Sequence, residues 1–325
     1  MKARRRVRIL AMWLSLFAPS VAAADEPSHH AVEVTVYAPQ DGTFRGCTHL
    51  LFQDNLEIVT TGTRLHFRRV GEPVFHESPL TMFDDAHAVA FNARDQLFHA
   101  TDTANHRLFS FRNPANDRVE QTVTTLAGVK LDRPHDIVVD EAGWLYTLNP
   151  NTANVFRFRG FGDQESVLDL SQHIGYSRSL SVVGKKLYVV GSSTGRIVEI
   201  DDFERRQFHV HLSFGKRRDA PAGSWQTTGL VPNDVDFHQG YWYMTSYFCP
   251  AYSRQADCNE MKFIRFKTWK DFETGNCEDL SGLLPRDVVP YYLTPHDNSL
   301  YLAAFSHEAP GQPGRIYRVV PRRNN

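Results

Sequence analysis

Pro134-His135-Asp136-Ile137-Val138-Val139-Asp140-Glu141-Ala142-Gly143-Trp144-Leu145-Tyr146 is the stretch that decides the architecture. A turn-forming proline leads into a short β-branched run. An Asp-Glu-Ala-Gly turn follows, and an aromatic-rich run returns. This is the pattern of an antiparallel hairpin. The head of the hairpin recurs five times: Cys47-Thr48-His49-Leu50-Leu51-Phe52, Asp85-Ala86-His87-Ala88-Val89, Ser177-Arg178-Ser179-Leu180, Val231-Pro232-Asn233-Asp234-Val235 and Val289-Pro290-Tyr291-Tyr292-Leu293. One residue holds the same place in each repeat, which nominates His49, His87, His135, Arg178, Asn233 and Tyr291 for one shared location.

These positions are 38, 48, 43, 55 and 58 residues apart. Such spacing is too long for a β-helix and suits four-stranded blades. After each aromatic second strand comes a third run, such as Arg107-Leu108-Phe109-Ser110-Phe111 or Asn154-Val155-Phe156-Arg157-Phe158. Its alternation reads as a half-buried strand. The expected fold is all-β, a six-bladed β-propeller. Residues 31–37 alternate as a strand with no partner nearby in sequence, so they are expected to close the ring as the outer strand of the last blade.

The first 24 residues carry five basic and no acidic side chains, a short apolar stretch over residues 9–18, and Ala22-Ala23-Ala24. This reads as a secretory signal peptide, 1–24, ahead of a propeller at 25–325. The protein is expected to be periplasmic or secreted, soluble and monomeric, with no membrane span. The chain's net charge of −1 leaves −6 on the remainder, which gives no basic face for nucleic acid. In an oxidising compartment, Cys249 and Cys258, flanking a polar insertion, are expected to form a disulfide. Cys47 and Cys277 either form a second bridge or stay free.

First strands line a propeller's channel, so the six nominated residues would converge at one mouth. Imidazoles gathered there suit zinc or another transition metal better than calcium, which prefers oxygen. The expected ligands are His49, His87, His135 and Asn233. Asp136 and Asp234, one step past two of them, are read as partners of those ligands or as further oxygen donors. Arg178 would stabilise an anion and Tyr291 would act as acid or base. The same ring could equally do no more than hydrate the channel. His209, His211 and the Lys216-Arg217-Arg218 run are read as solvent-facing, and no partner is evident for His99 or His296.

The stretch from Pro134 to Tyr146 resembles an NHL repeat. Val231-Pro232-Asn233-Asp234-Val235 resembles the Pro-Asn strand of the SMP-30/gluconolactonase and paraoxonase group. The likeness spans roughly residues 45–320. That group holds a divalent metal with a first-blade Glu plus Asn and Asp, whereas this chain has His49 and His135 at the corresponding places. In ring chemistry it is more similar to the amidating lyase propeller, which uses three His for zinc with Tyr and Arg nearby. The resemblance implies a metal-dependent hydrolase or lyase acting on a small carbonyl or lactone-like ester. The alternative is a non-catalytic propeller that binds a protein, peptide or glycan.

Overall fold

The computed structural model describes residues 32–38, 44, 46–81, 83–226, 229–248, 260–286, 288–306 and 314–322. The expected signal segment and the Cys249–Cys258 insertion lie outside them. Six antiparallel four-stranded sheets follow one another along the chain. Blade 1 is His49–Gln53, Leu56–Thr60, Leu65–Arg69 and His76–Glu77. Blade 2 is Val89–Asn92, Leu97–Asp102, Arg107–Phe111 and Gln121–Val123. Blade 3 is Ile137–Val139, Leu145–Asn149, Asn154–Phe158 and Ser166–Asp169. Blade 4 is Ser177–Val183, Lys186–Gly191, Arg196–Asp202 and Gln207–Leu212. Blade 5 is Val231–His238, Tyr241–Phe248, Phe263–Phe266 and Glu278–Asp279. Blade 6 is Val288–His296, Ser299–Ser306 and Arg315–Pro321, completed by Val32–Ala38. That N-terminal strand runs antiparallel to Arg315–Pro321, with Val34 opposite Val319, and closes the ring as the sequence leads one to expect. Each inner strand touches the next, and blade 1 touches blade 6. Among the described residues, no helix is long and apolar enough to cross a membrane.

The turn in the opening stretch explains itself locally. Asp140 Oδ1 accepts from the amides of Ala142 and Trp144, both at 2.9 Å. Gly143 has φ 76°, a backbone conformation that glycine adopts without strain. The hairpin therefore reverses within a few residues and returns Leu145 opposite Val139.

Among the described residues the core is divided into six apolar clusters, one between each pair of neighbouring blades. Val155 packs with Leu180 and Val189 toward blade 4. Phe156 and Phe158, on the other face of the same strand, pack with Ala88 and Leu108 toward blade 2. This corrects the half-buried reading of the third strands: each blade is sandwiched, so Leu108, Phe109, Ser110 and Phe111 are all buried. Glu57, wholly buried in blade 1, takes two bonds from Arg68 at 2.8 and 2.9 Å and one from Tyr37 of the closing strand at 2.7 Å. A charge placed there is tolerated because it is paired and hydrogen-bonded.

Against the expectation of a disulfide, no bridge forms among the described residues; Cys249 and Cys258 lie outside them. Cys47 is a buried free thiol in the apolar cluster between blades 6 and 1, and Cys277 is a half-buried free thiol in the cluster between blades 4 and 5. They are held in separate interfaces. Several side chains read as solvent-facing or partnerless are also placed otherwise. His211 stacks on Trp269 at 4.4 Å and meets Glu199 at 3.1 Å. His99 is buried against Asp95, and His296 stacks on Phe52 at 4.0 Å. Lys216 is buried, its ammonium bonded to the Gln226 carbonyl at 2.7 Å, and burial pushes its pKa down to about 8.

Candidate functional site

The inner strands set two successive layers of side chains. Counting back from the first buried aliphatic of each (Leu50, Val89, Ile137, Leu180, Val235, Leu293) gives His49, Ala88, Asp136, Ser179, Asp234 and Tyr292. One residue further back stand Thr48, His87, His135, Arg178, Asn233 and Tyr291. Blade 1 is thus displaced by one residue from the sequence alignment, in which Ala88 had stood opposite Leu50. The structure separates His49 from the other five and puts Thr48 in their layer. Thr48 Oγ1 lies 2.7 Å from Thr60 Oγ1 and donates to the Ala86 carbonyl at 3.3 Å.

The inner layer faces a channel cavity of about 320 Å³, lined by all six blades. His49, Asp136, Asp234 and Tyr292 line it, but His87, His135, Arg178, Asn233 and Tyr291 do not. Asp136 accepts from Ile137 N at 2.8 Å and, across to blade 4, from Leu180 N at 2.7 Å. Asp234 accepts from Val235 N at 2.9 Å and, across to blade 6, from Leu293 N at 2.7 Å. These carboxyls stitch neighbouring blades. Burial raises the pKa of Asp136 well above the usual range and that of Asp234 to about 7. Burial pushes His49 down to about 4.

The outer layer, joined by Asp85 and by Tyr292 of the inner layer, forms a continuous chain of proton-carrying groups. Asp85 Oδ1 is 3.0 Å from His87 Nε2. His87 Nδ1 is 3.4 Å from Tyr291 Oη, which is 3.3 Å from His135 Nε2. His135 Nδ1 lies 2.9 Å from the Arg178 carbonyl oxygen and 2.9 Å from Tyr292 Oη. Tyr292 in turn donates to the Arg178 carbonyl at 3.1 Å. The Arg178 guanidinium reaches Tyr291 Oη at 3.4 Å and lies 5.2 Å from the Tyr176 ring. His87, His135, Tyr291 and Tyr292 are buried.

Partner atoms assign the protons. A carbonyl only accepts, so His135 carries its hydrogen on Nδ1 and presents a bare Nε2 to the phenol of Tyr291. Burial, then the charges of His87 and Arg178, hold His135 well below the usual histidine range, so it is a neutral base. Asp85 is opposed by burial, but the hydrogen bond and charge of His87, with Arg133, outweigh it and keep the carboxylate ionised. Asn233 donates to the Tyr291 carbonyl at 2.9 Å, as does Thr245 at 2.6 Å. They fix the backbone that carries the phenol. Asp85, Tyr292 and Tyr176 were not singled out from sequence; the doublet Tyr291-Tyr292 and the Asp-x-His spacing were the available signals.

Of the four expected metal ligands, His87 and His135 stand with ring centroids 4.0 Å apart, beside a guanidinium. His49 belongs to the next layer, against Tyr292 at 5.7 Å. His49 Nδ1 and Asn233 Oδ1 are buried without a hydrogen-bond partner among the described residues. No three His, Cys, Asp or Glu among the described residues gather as one coordination group.

No protein-family model and no curated protein matches the chain. Solved structures do. A catalytically inactive variant of virginiamycin B lyase from Staphylococcus aureus, with quinupristin, is 10% identical, with TM-score 0.59 over 89% of this chain and 99% of that one. A protein of unknown function from Bacteroides thetaiotaomicron is 13% identical, with TM-score 0.60 over 89% and 76%. A nidogen/laminin complex chain is 14% identical, with TM-score 0.52 over 72% and 78%. Likeness at these identities carries the propeller fold and leaves the activity to be argued from the site.

Proposed function

We propose that the channel mouth is a proton-transfer site that eliminates a leaving group from a small carbonyl or lactone-like ester substrate. One observation carries this reading: a single phenol oxygen, Tyr291 Oη, is reached by His87, His135 and Arg178, all within 3.4 Å. In this reading Tyr291 removes the hydrogen on the carbon beside the carbonyl while its own proton passes to His135 Nε2. The developing enolate faces the Arg178 guanidinium. The bond from the next carbon to the leaving oxygen breaks, a C=C bond forms, and His87, paired with Asp85, protonates that oxygen. Tyr291 then returns the proton from His135 to His87 and restores the starting state.

Elimination is favoured over acyl transfer because neither imidazole hydrogen-bonds a Ser, Thr or Cys among the described residues, so no activated nucleophile accompanies the bases. No step is routed through a metal. The basic, apolar and alanine-rich sequence of residues 2–24 supports export, to the periplasm or outside the cell. The Pro134–Tyr146 and Val231–Val235 stretches support kinship with the NHL and SMP-30 propellers.

The test is a panel of β-lactones and β-acyloxy esters incubated with the protein in heavy-oxygen water. Elimination yields a conjugated alkene and an acid without isotope uptake, and Tyr291→Phe abolishes it. Isotope-labelled product, or a rate unchanged in that variant, would overturn the proposal. Absence of turnover across the panel would favour the non-catalytic reading.

A further inference from the structure

Trp225 is 49% exposed, unusual for so large an apolar ring, yet the loop that carries it is pinned from several sides. Gln226 N donates to the Ser193 carbonyl at 2.9 Å. Gln226 Oε1 accepts from Arg217 N at 2.7 Å, and the buried Lys216 ammonium bonds the Gln226 carbonyl. Gly175 lets the loop approach: a Cβ there would fall 2.0 Å from Ser193 Oγ and 2.6 Å from the Ala222 carbonyl oxygen. Ser193 Oγ also accepts from Tyr176 N at 2.9 Å, so one residue positions both aromatic carriers.

Trp225 and Tyr176 then meet with centroids 5.9 Å apart and planes inclined by 35°. Tyr176 lies 5.2 Å from the Arg178 guanidinium and 6.4 Å from the His135 ring. An exposed aromatic face thus leads directly to the cation and base of the mouth. Ordering it costs little on binding, because the loop is already held.

We propose that Trp225 and Tyr176 form a shelf that takes a planar aromatic ring of the ligand, with the carboxylate or carbonyl attached to that ring turned toward Arg178. This names a substrate class for the proposed site and rests on that reading for turnover, but not for binding. Flat rings gain from stacking where saturated rings of similar size do not.

The experiment titrates phenylacetate, cyclohexylacetate and glucuronate into the wild-type protein, Trp225→Ala, Trp225→Phe and Tyr291→Phe by calorimetry. Phenylacetate should bind about three- to tenfold more tightly than cyclohexylacetate. Trp225→Ala should erase that preference, whereas Trp225→Phe and Tyr291→Phe should keep it. Equal binding of the two rings, a preference that survives Trp225→Ala, tighter binding of glucuronate, or no binding at all would overturn the shelf. A preference with no turnover of any aryl ester would refute the elimination reading and leave the shelf standing.

Discussion

Replacing Asp234 by asparagine should change how stability depends on pH. Asp234 is 2% exposed, and its two oxygens each accept a backbone amide, one of them across to blade 6. Burial raises its pKa from an ordinary 3.8 to about 7. Below about pH 4 the carboxyl is protonated in both states and its ionisation contributes nothing. As pH rises from there, the unfolded chain ionises freely while the folded one retains its proton, so stability falls until the folded group also ionises near pH 7. The span of about three pH units corresponds to about 4 kcal/mol at 1.36 kcal/mol per unit. The amide of the Asp234→Asn variant does not titrate. Relative to wild type, the variant should therefore gain up to about 4 kcal/mol between about pH 4 and pH 8, on top of a constant offset from the altered Leu293 bond. His49, whose pKa is lowered to about 4, acts with the opposite sign, gaining stability as pH rises toward its ordinary value. It is present in both proteins and drops out of the difference. Urea unfolding at a series of pH values reads this directly. A wild-type-minus-variant difference independent of pH would refute the idea that Asp234 is buried in its neutral form.

Two further perturbations test other parts of the account. Glu57→Ala should destabilise the fold by about 3–5 kcal/mol, because it leaves the Arg68 guanidinium buried and unpaired and releases Tyr37 of the closing strand; denaturant melts would show it, and a loss under about 1 kcal/mol would contradict the pairing. Arg178→Ala should lower kcat/KM for elimination about a hundred- to a thousandfold, with partial recovery in Arg178→Lys; an unchanged rate would remove the enolate role.

The sequence displayed the propeller because each blade repeats the same turn-strand-turn-strand pattern, and even the run 31–37, with no partner nearby in sequence, carried its destination in its alternation. Burial on both faces was less legible: Phe156 and Phe158 serve one interface and Val155 another, a consequence of stacking blades that one strand's pattern does not reveal. At the site, residue types were readable but depth was not. Cys47-Thr48-His49 and Asp85-Ala86-His87 look interchangeable, and only the paired strands put Thr48 level with His87. The one-residue difference moves a whole side chain to the next layer. Trp225 and Tyr176 are far apart in sequence, and nothing short of the folded loop brings them together.

The most direct measurement is exchange of the substrate hydrogen beside the carbonyl, followed by NMR in deuterium oxide with a non-eliminating ester analogue. The wild-type protein should catalyse exchange, and Tyr291→Phe and His135→Ala should each slow it about a hundred- to ten-thousandfold, with the circular dichroism of both variants unchanged. Exchange that persists in either variant, or ester turnover by the wild type without any exchange, would contradict the proton relay through Tyr291.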